Sequence, residues 1–220
     1  MSTILEVKNL TIQSPKKKII SDLSFQIKAG DFVSVKGPSG SGKSTLLKEL
    51  VYLNAPNLSR SGKIYFNDKE ISDYPPIELR QNIAYCFQTA QLFGRTVEDN
   101  LSFPYEIRDL SVDKEKINYL LDEVRLSNDY YKTEIQNLSG GEKQRIALIR
   151  NLIFPPKILL LDEVTSALDQ ETREILWSWL LKYIEKEDIT TLMISHLSKD
   201  HQYANKEIMI SNNHQESEED

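Results

Sequence analysis

Gly37 to Thr45 reads GPSGSGKST, and it lies between an apolar stretch, DFVSV, and a helical pattern, STLLKELVYL. That order of strand, glycine-rich loop and helix matches G-x-x-x-x-G-K-[ST] in the context its chemistry requires. Glycines at Gly37, Gly40 and Gly42 let backbone N–H groups turn inward around phosphates without Cβ clashes. Lys43 brings positive charge to the outer phosphates, and Ser44 at the helix start can offer its hydroxyl to Mg2+. The run Gly37, Pro38, Ser39, Gly40, Ser41, Gly42, Lys43, Ser44 and Thr45 is therefore expected to bind a nucleoside triphosphate, helped by the partial positive charge of the helix N-terminus.

The flanking segments carry the rest of the architecture. ILEVKNLTI, IISDLSFQI, KIYFN and IAYCFQ are short and apolar or alternating, set off by Pro, Gly, Asn or Lys clusters, and read as strands. From Ser111 the period changes: Ile117, Leu120, Leu121 and Val124 recur at helical spacing, and Gly141 to Phe154 supports another helix. After Pro155 and Pro156, KILLLDEV is a nearly continuous apolar run, the pattern of a strand buried on both faces of a parallel sheet. A long amphipathic helix follows, with Ile175, Leu176, Trp179, Leu180 and Ile184 on one face, then the strands TTLMISH and KEIMIS. An α/β pattern thus starts, is interrupted by helices and resumes, without an internal repeat. The end, NNHQESEED, is acidic and expected to lack structure.

Several strand ends carry candidate chemistry. ILLLDE closes in two carboxylates with different expected tasks: Asp162 holds Mg2+ and Glu163 polarises an attacking water as general base. His196 follows TTLMIS, where an imidazole can contact a γ-phosphate, and Gln88 follows IAYCF, where a carboxamide can touch metal and water. Each is ordinary when alone. Acids close many solvated strands, an isolated histidine is most often structural, and a single glutamine carries no signal.

Composition removes other classes. With 220 residues, 40% of them hydrophobic, the chain can bury a real core. A formal net charge of −6 argues against a broad nucleic-acid surface, so any phosphate site must be built locally. The single cysteine, Cys86, reads as a buried strand residue and allows neither an internal disulfide nor a cysteine metal site. His196, His201 and His214 lack metal-site spacing, and His201 and His214 are expected to be solvated. No stretch approaches the roughly 18 apolar residues needed to cross a bilayer, and the start lacks a signal-peptide order. The chain is expected inside the cell, linked to a membrane only through a partner.

LSGGEKQR, Leu138 to Arg145, together with the phosphate loop resembles the signature sequence of ABC ATPases. The family elements occur in order: phosphate loop, Gln88, signature, the Asp162–Glu163 pair, the turn at Ser166 to Asp169, and His196. In that family the Ser-Gly-Gly turn of one subunit closes over the γ-phosphate held by the other subunit's phosphate loop. Ser139, Gly140 and Gly141 make such an anion-binding helix start. The resemblance adds Glu142 and Asp169 to the nucleotide-binding set, and Gln88 to Ser44 and Asp162 as Mg2+ contacts. It gives Glu163, His196 and Gln88 catalytic roles.

The fold it implies is α/β: a P-loop NTPase (RecA-like) core with a mixed sheet and an inserted helical subdomain. Residues 1–220 would form one ABC ATPase domain, with the core at about 1–88 and 157–220, the helical part at about 89–156 and the acidic tail at 212–220. The implied cofactors are ATP and Mg2+. The implied partners are a second ATPase subunit, expected to be another copy, and a separate integral membrane permease on whose inner face the chain sits; nucleic acid is not expected. One departure concerns the base. Many family members stack an early aromatic ring on adenine, but Ile12-Gln13-Ser14-Pro15 has none, so weaker base selectivity is expected unless another ring substitutes.

A narrower resemblance runs through Tyr85 to Arg108 and Gly140 to Leu152, which are similar to the ATPase subunits of bacterial Fet-type iron exporters. It implies export of iron or another metal. Import of a phosphate- or amino-acid-like solute is the alternative within transporters. A non-transport ABC ATPase is the alternative outside them; the short segment between Gln88 and Leu138 leaves no room for the long coiled coils of repair and chromosome members.

Overall fold

The computed structural model describes residues 2–53, 55–166 and 168–211; the acidic tail at 212–220, with His214, lies outside the described residues. In chain order the first half gives β1 (Thr3–Gln13), β2 (Lys18–Lys28), β3 (Phe32–Lys36), α1 (Lys43–Leu50), β4 (Ser59–Phe66), β5 (Lys69–Glu70), α2 (Pro76–Asn82) and β6 (Ile83–Cys86). The helices α3 (Val97–Glu106), α4 (Lys114–Glu123) and α5 (Gly140–Leu152) follow, then β7 (Ile158–Asp162), α6 (Gln170–Lys186), β8 (Thr190–Ile194) and β9 (Lys206–Met209). This is the α/β architecture expected, with its two strand senses divided between two sheets. One is antiparallel, ordered β2-β1-β4-β5; the other is parallel, ordered β6-β7-β8-β3-β9.

β1 shows how the sequence sets a face. Leu5 and Val7 are buried, then the inward set moves to Leu10 and Ile12. A register break between Val7 and Leu10, with Asn9 at φ 48, inserts the odd residue that swaps the alternation. The parallel strands need no alternation because both their faces are covered. Ile158 and Leu160 of β7 point into a core shared with α1 and the antiparallel sheet, while Leu159 and Leu161 enter a second core with α3, α4, α5 and α6. The helices of the middle segment therefore share a continuous hydrophobic core with the parallel sheet.

Two helices went unread in the sequence. α2 starts on Pro76, where a missing N–H costs nothing. α3 contains Pro104 in its interior, which argues against a helix, yet Thr96 and Asp99 form a reciprocal capping box at its start and Arg108 donates to the Pro104 carbonyl at 2.8 Å.

The strand order places the chemistry. β3 lies between β8 and β9, and β8 separates it from β7. All run parallel, so the residues after β3, β6, β7 and β8 emerge at one carboxyl edge, where open α/β sheets bind ligands.

Candidate active site

At the end of β3 the chain turns through Gly37, Pro38, Ser39 and Gly40 into α1. Pro38, Ser39 and Gly40 are exposed, whereas the Ser41 side chain is buried. Gly42 caps α1 at φ 95, and a Cβ there would stand 2.6 Å from Cγ2 of Ile19. Gly37 has φ 150, and its Cβ would lie 2.3 Å from the backbone oxygen of Ile210. Neither position admits a side chain. The first turn of α1, including Ser44 and Thr45, carries no acid, so no carboxylate competes for its N–H groups and dipole, which suit an anion. Lys43 is buried and donates to the carbonyls of Gly37 and Pro38 at 2.9 Å each. Two of the three ammonium donors thus pin it over the loop, leaving one for a phosphate oxygen.

Asp162 closes β7 and is 3% exposed. Ser44 Oγ donates to Oδ1 at 2.9 Å and Tyr85 Oη donates to Oδ2 at 2.5 Å. Burial, reinforced by the Asp162 carboxylate, pushes the Tyr85 hydroxyl far above its usual range, so it remains a donor. A carboxylate beside a hydroxyl at the start of a helix is a hard all-oxygen donor set, which fits Mg2+. Among the described residues no cluster of three or more His, Cys, Asp or Glu side chains forms a separate metal site.

Glu163 takes φ 50, uncommon for a residue with a side chain, while its N–H still donates to the Ile194 carbonyl at 3.0 Å. The turn aims the carboxylate along the sheet edge. Oε2 accepts from Gln88 Nε2 at 2.7 Å, and Oε1 lies 2.7 Å from His196 Nε2. Three candidates from the ends of three strands therefore meet in one network. His196 is mainly exposed at 58% and touches Glu163.

The signature turn forms a second helix start. Ser139 Oγ accepts from the Glu142 N–H at 3.3 Å and Glu142 Oε2 accepts from the Ser139 N–H at 2.7 Å. Tyr130 Oη donates to Glu142 Oε1 at 2.5 Å; that bond and the Ser139 N–H hold the Glu142 carboxyl below its ordinary range. A Cβ on Gly140 would meet nothing within 4 Å, so the turn opens outward, while one on Gly141 would meet Leu168 Cδ2 at 3.2 Å. Asp169 caps α6 by accepting from the Thr172 N–H at 2.9 Å, and Arg173 donates to the Leu168 carbonyl at 2.8 Å. The structure draws Asp169 into this cap and not into the Glu163 network.

Two further readings concern isolated residues. Cys86 is buried, as expected, and burial pushes its thiol up to about 11. His201 departs from the expectation of a solvated side chain: it is half-buried, and its Nδ1 shares a 2.6 Å hydrogen bond with Oγ of fully buried Ser34. The serine hydroxyl needs a partner inside β3, and the chain supplies one from 167 positions away, a pairing that local sequence does not reveal. Sequence reasoning also passed over Tyr85, Tyr130 and Gln144; the last donates to the Phe87 carbonyl at 3.0 Å and ties α5 to the segment carrying Gln88. A polar-tipped aromatic within an apolar strand, as in IAYCF, was the available signal for Tyr85.

Residues 20–166 match the family model described as ABC transporter. The chain is 40% identical over 209 residues to the probable iron export ATP-binding protein FetA of Escherichia coli strain K12, covering 95% of this chain and 92% of that protein. It is 38% identical over 215 residues to the sulfate/thiosulfate import ATP-binding protein CysA of Mesostigma viride, covering 96% of this chain but only 60% of that relative's length. Among solved structures, the dimeric post-hydrolysis state of the ATP-binding cassette MJ0796 bound to ADP and Pi superposes with a TM-score of 0.82 at 28% identity, covering 94% of each chain.

Proposed function

This chain belongs to the ABC transporter family, and on that premise we propose that it is the ATP-hydrolysing subunit that dimerises on ATP to drive a separate membrane permease exporting iron or another metal. The observation that carries the ATPase reading is the meeting of Gln88, Glu163 and His196 beside the Ser44–Asp162 pair at the edge of one parallel sheet.

The geometry supports a division of labour. The N–H groups of the phosphate loop and α1, with the free Lys43 donor, hold the triphosphate. Ser44 and Asp162, with Gln88 as a further oxygen donor, would hold Mg2+, which would offset the negative charge of the triphosphate. Glu163 takes the proton of the attacking water. The bond from that oxygen to the γ-phosphorus forms as the bridging bond to the β-phosphate breaks, releasing ADP and phosphate. Gln88 and His196 occupy one lone pair on each Glu163 oxygen and fix its direction, leaving others for water. Ser139 and Gly140, open to solvent at the start of α5, are suited to close on the nucleotide of a second copy.

Among the described residues no helix is long and apolar enough to cross a membrane. A cleft of about 390 Å³ runs between α2, α3 and the end of α5, with Ile77, Phe103 and Ile107 exposed beside Arg80, Arg108 and Phe154. This apolar, basic-rimmed cleft supports docking of a cytoplasmic segment of the permease, which would hold the chain on the inner face of the membrane.

The similarity to FetA across nearly the whole of both chains supports metal export. The similarity to CysA supports a second reading, import of an oxyanion. Cells lacking this subunit, loaded with excess iron, are expected to retain more of it; the intact chain restores export and Glu163→Gln does not. Equal retention in all three strains, with the permease present, rejects iron export, and a sulfate-uptake defect in the same deletion selects the second reading.

A further inference from the structure

Asp162 is buried, and each of its oxygens is met by a different hydroxyl. Ser44 reaches Oδ1 from α1, whereas Tyr85 reaches Oδ2 from the adjacent strand β6. The Ser44 contact belongs to the metal site proposed above. The Tyr85 contact does not, because its hydroxyl approaches the oxygen that Ser44 leaves free.

Tyr85 is built to stay in place. Its residue pairs with Leu160 in the parallel ladder, and its ring stands edge-on to Phe87 with centroids 4.6 Å apart. Its carbonyl accepts from Asn151 Nδ2 at 3.2 Å, so α5 clamps the strand from the other side. The phenol tip is therefore a fixed donor on a rigid element. A carboxylate held through one oxygen only can rotate about its last bond and present either oxygen to a cation. One held through both cannot.

We propose that Tyr85 is a positioning residue for nucleotide-bound Mg2+: by fixing Oδ2 of Asp162 it keeps Oδ1 and the Ser44 hydroxyl facing the cation together. This rests on the reading of the Ser44–Asp162 pair as the metal site. Removing the hydroxyl leaves a buried carboxylate oxygen without its donor, and partners of metal-ligating groups are typically worth about 10–100-fold in metal affinity. Binding of the triphosphate itself, carried by Lys43 and backbone N–H groups, does not pass through Tyr85.

The test compares the full chain with Tyr85→Phe and with Tyr183→Phe, a matched control whose buried hydroxyl donates to the Leu152 carbonyl at 2.6 Å, among the core residues of α6. Mn2+ serves as the probe, titrated by electron paramagnetic resonance with a non-hydrolysable ATP analogue, and analogue binding is measured separately in EDTA. Tyr85→Phe is expected to raise the half-saturating Mn2+ concentration about tenfold while binding in EDTA stays within twofold. Tyr183→Phe is expected to change neither. An unchanged Mn2+ titration in Tyr85→Phe, or an equal shift in Tyr183→Phe, overturns the assignment. Should the unmodified chain bind no Mn2+ with the analogue, the metal-site reading falls and the assignment with it. If Tyr85→Phe does not fold, the unmodified chain labelled with 13C at the tyrosine ζ-carbon decides. The Tyr85 resonance should move when Mg2+ is added to the analogue-loaded protein, and a stationary one overturns the proposal.

Discussion

Gly37 and Gly40 stand three positions apart in the same loop, and their surroundings predict different fates for the same substitution. Both take positive φ, 150 and 75, where an L side chain is strained. Alanine at Gly40 would meet nothing within 4 Å, so only backbone strain of about 1–2 kcal/mol remains, equivalent to roughly tenfold in ATP affinity. Alanine at Gly37 would put Cβ 2.3 Å from the Ile210 oxygen and 2.8 Å from Ser41 Oγ. The Ile210 backbone is held beside the loop, because its N–H is bonded to the Lys36 oxygen at 2.8 Å as β9 leaves the sheet. The loop must instead move by about 1 Å, and a misplacement of that size costs about a hundredfold where geometry sets binding and rate. Calorimetric titration with a non-hydrolysable ATP analogue is the assay, with thermal unfolding in its absence to show that both variants are folded. Gly37→Ala is expected to bind at least tenfold more weakly than Gly40→Ala. Equal affinities would refute the argument that the Ile210 carbonyl fixes the loop.

Lys43→Ala is expected to abolish productive nucleotide binding, since it removes the ammonium pinned over the loop; retained affinity in the same titration would move the charge clamp elsewhere. Ser139→Arg should block hydrolysis by obstructing closure over a partner's nucleotide, while the lost cap to Glu142 costs only about 1 kcal/mol of stability. Mixed dimers check this, because one mutant chain that leaves both sites fully active is incompatible with a shared site. GTP should compete measurably with ATP, because Ile12 is buried and neither Gln13 nor Ser14 offers a ring, a loss of about 1 kcal/mol or roughly fivefold. A strong ATP preference would show that another residue contacts the base.

What was legible in the sequence was local. GPSGSGKST between a strand and a helix and KILLLDEV each carry their own period or loop chemistry, and they formed as read because local preference and burial agree there. The α6 stripe formed with Leu176, Trp179, Leu180 and Ile184 inward as read, but Ile175 is half-buried and Trp177 and Tyr183 join the buried face. The α3 segment resisted because Pro104 argues against helix, and only the Thr96–Asp99 box, read as a cap, would have countered it. Strand order was not legible, since β3 lies between β8 and β9 through pairings distant in sequence. The same distance hid the bonds that finish the site. Tyr85 meets Asp162 across 77 positions, and His201, expected in solvent, meets Ser34 across 167. The middle helices read as an insertion; Ile117, Leu121 and Ile149 pack into one core with Leu159 and Leu176, a union that no single segment encodes.

The central claim is that Glu163 activates water at a nucleotide shared between two copies of the chain, and Glu163→Gln tests it directly. The amide keeps the shape and the room for Gln88 and His196, each 2.7 Å from the carboxylate, but cannot take a proton. Size-exclusion chromatography of the variant with ATP, alongside phosphate release, is the measurement. The account predicts an ATP-dependent shift to a dimer that persists while hydrolysis stalls. Phosphate release at the unmodified rate, with no accumulation of the dimer, would contradict it.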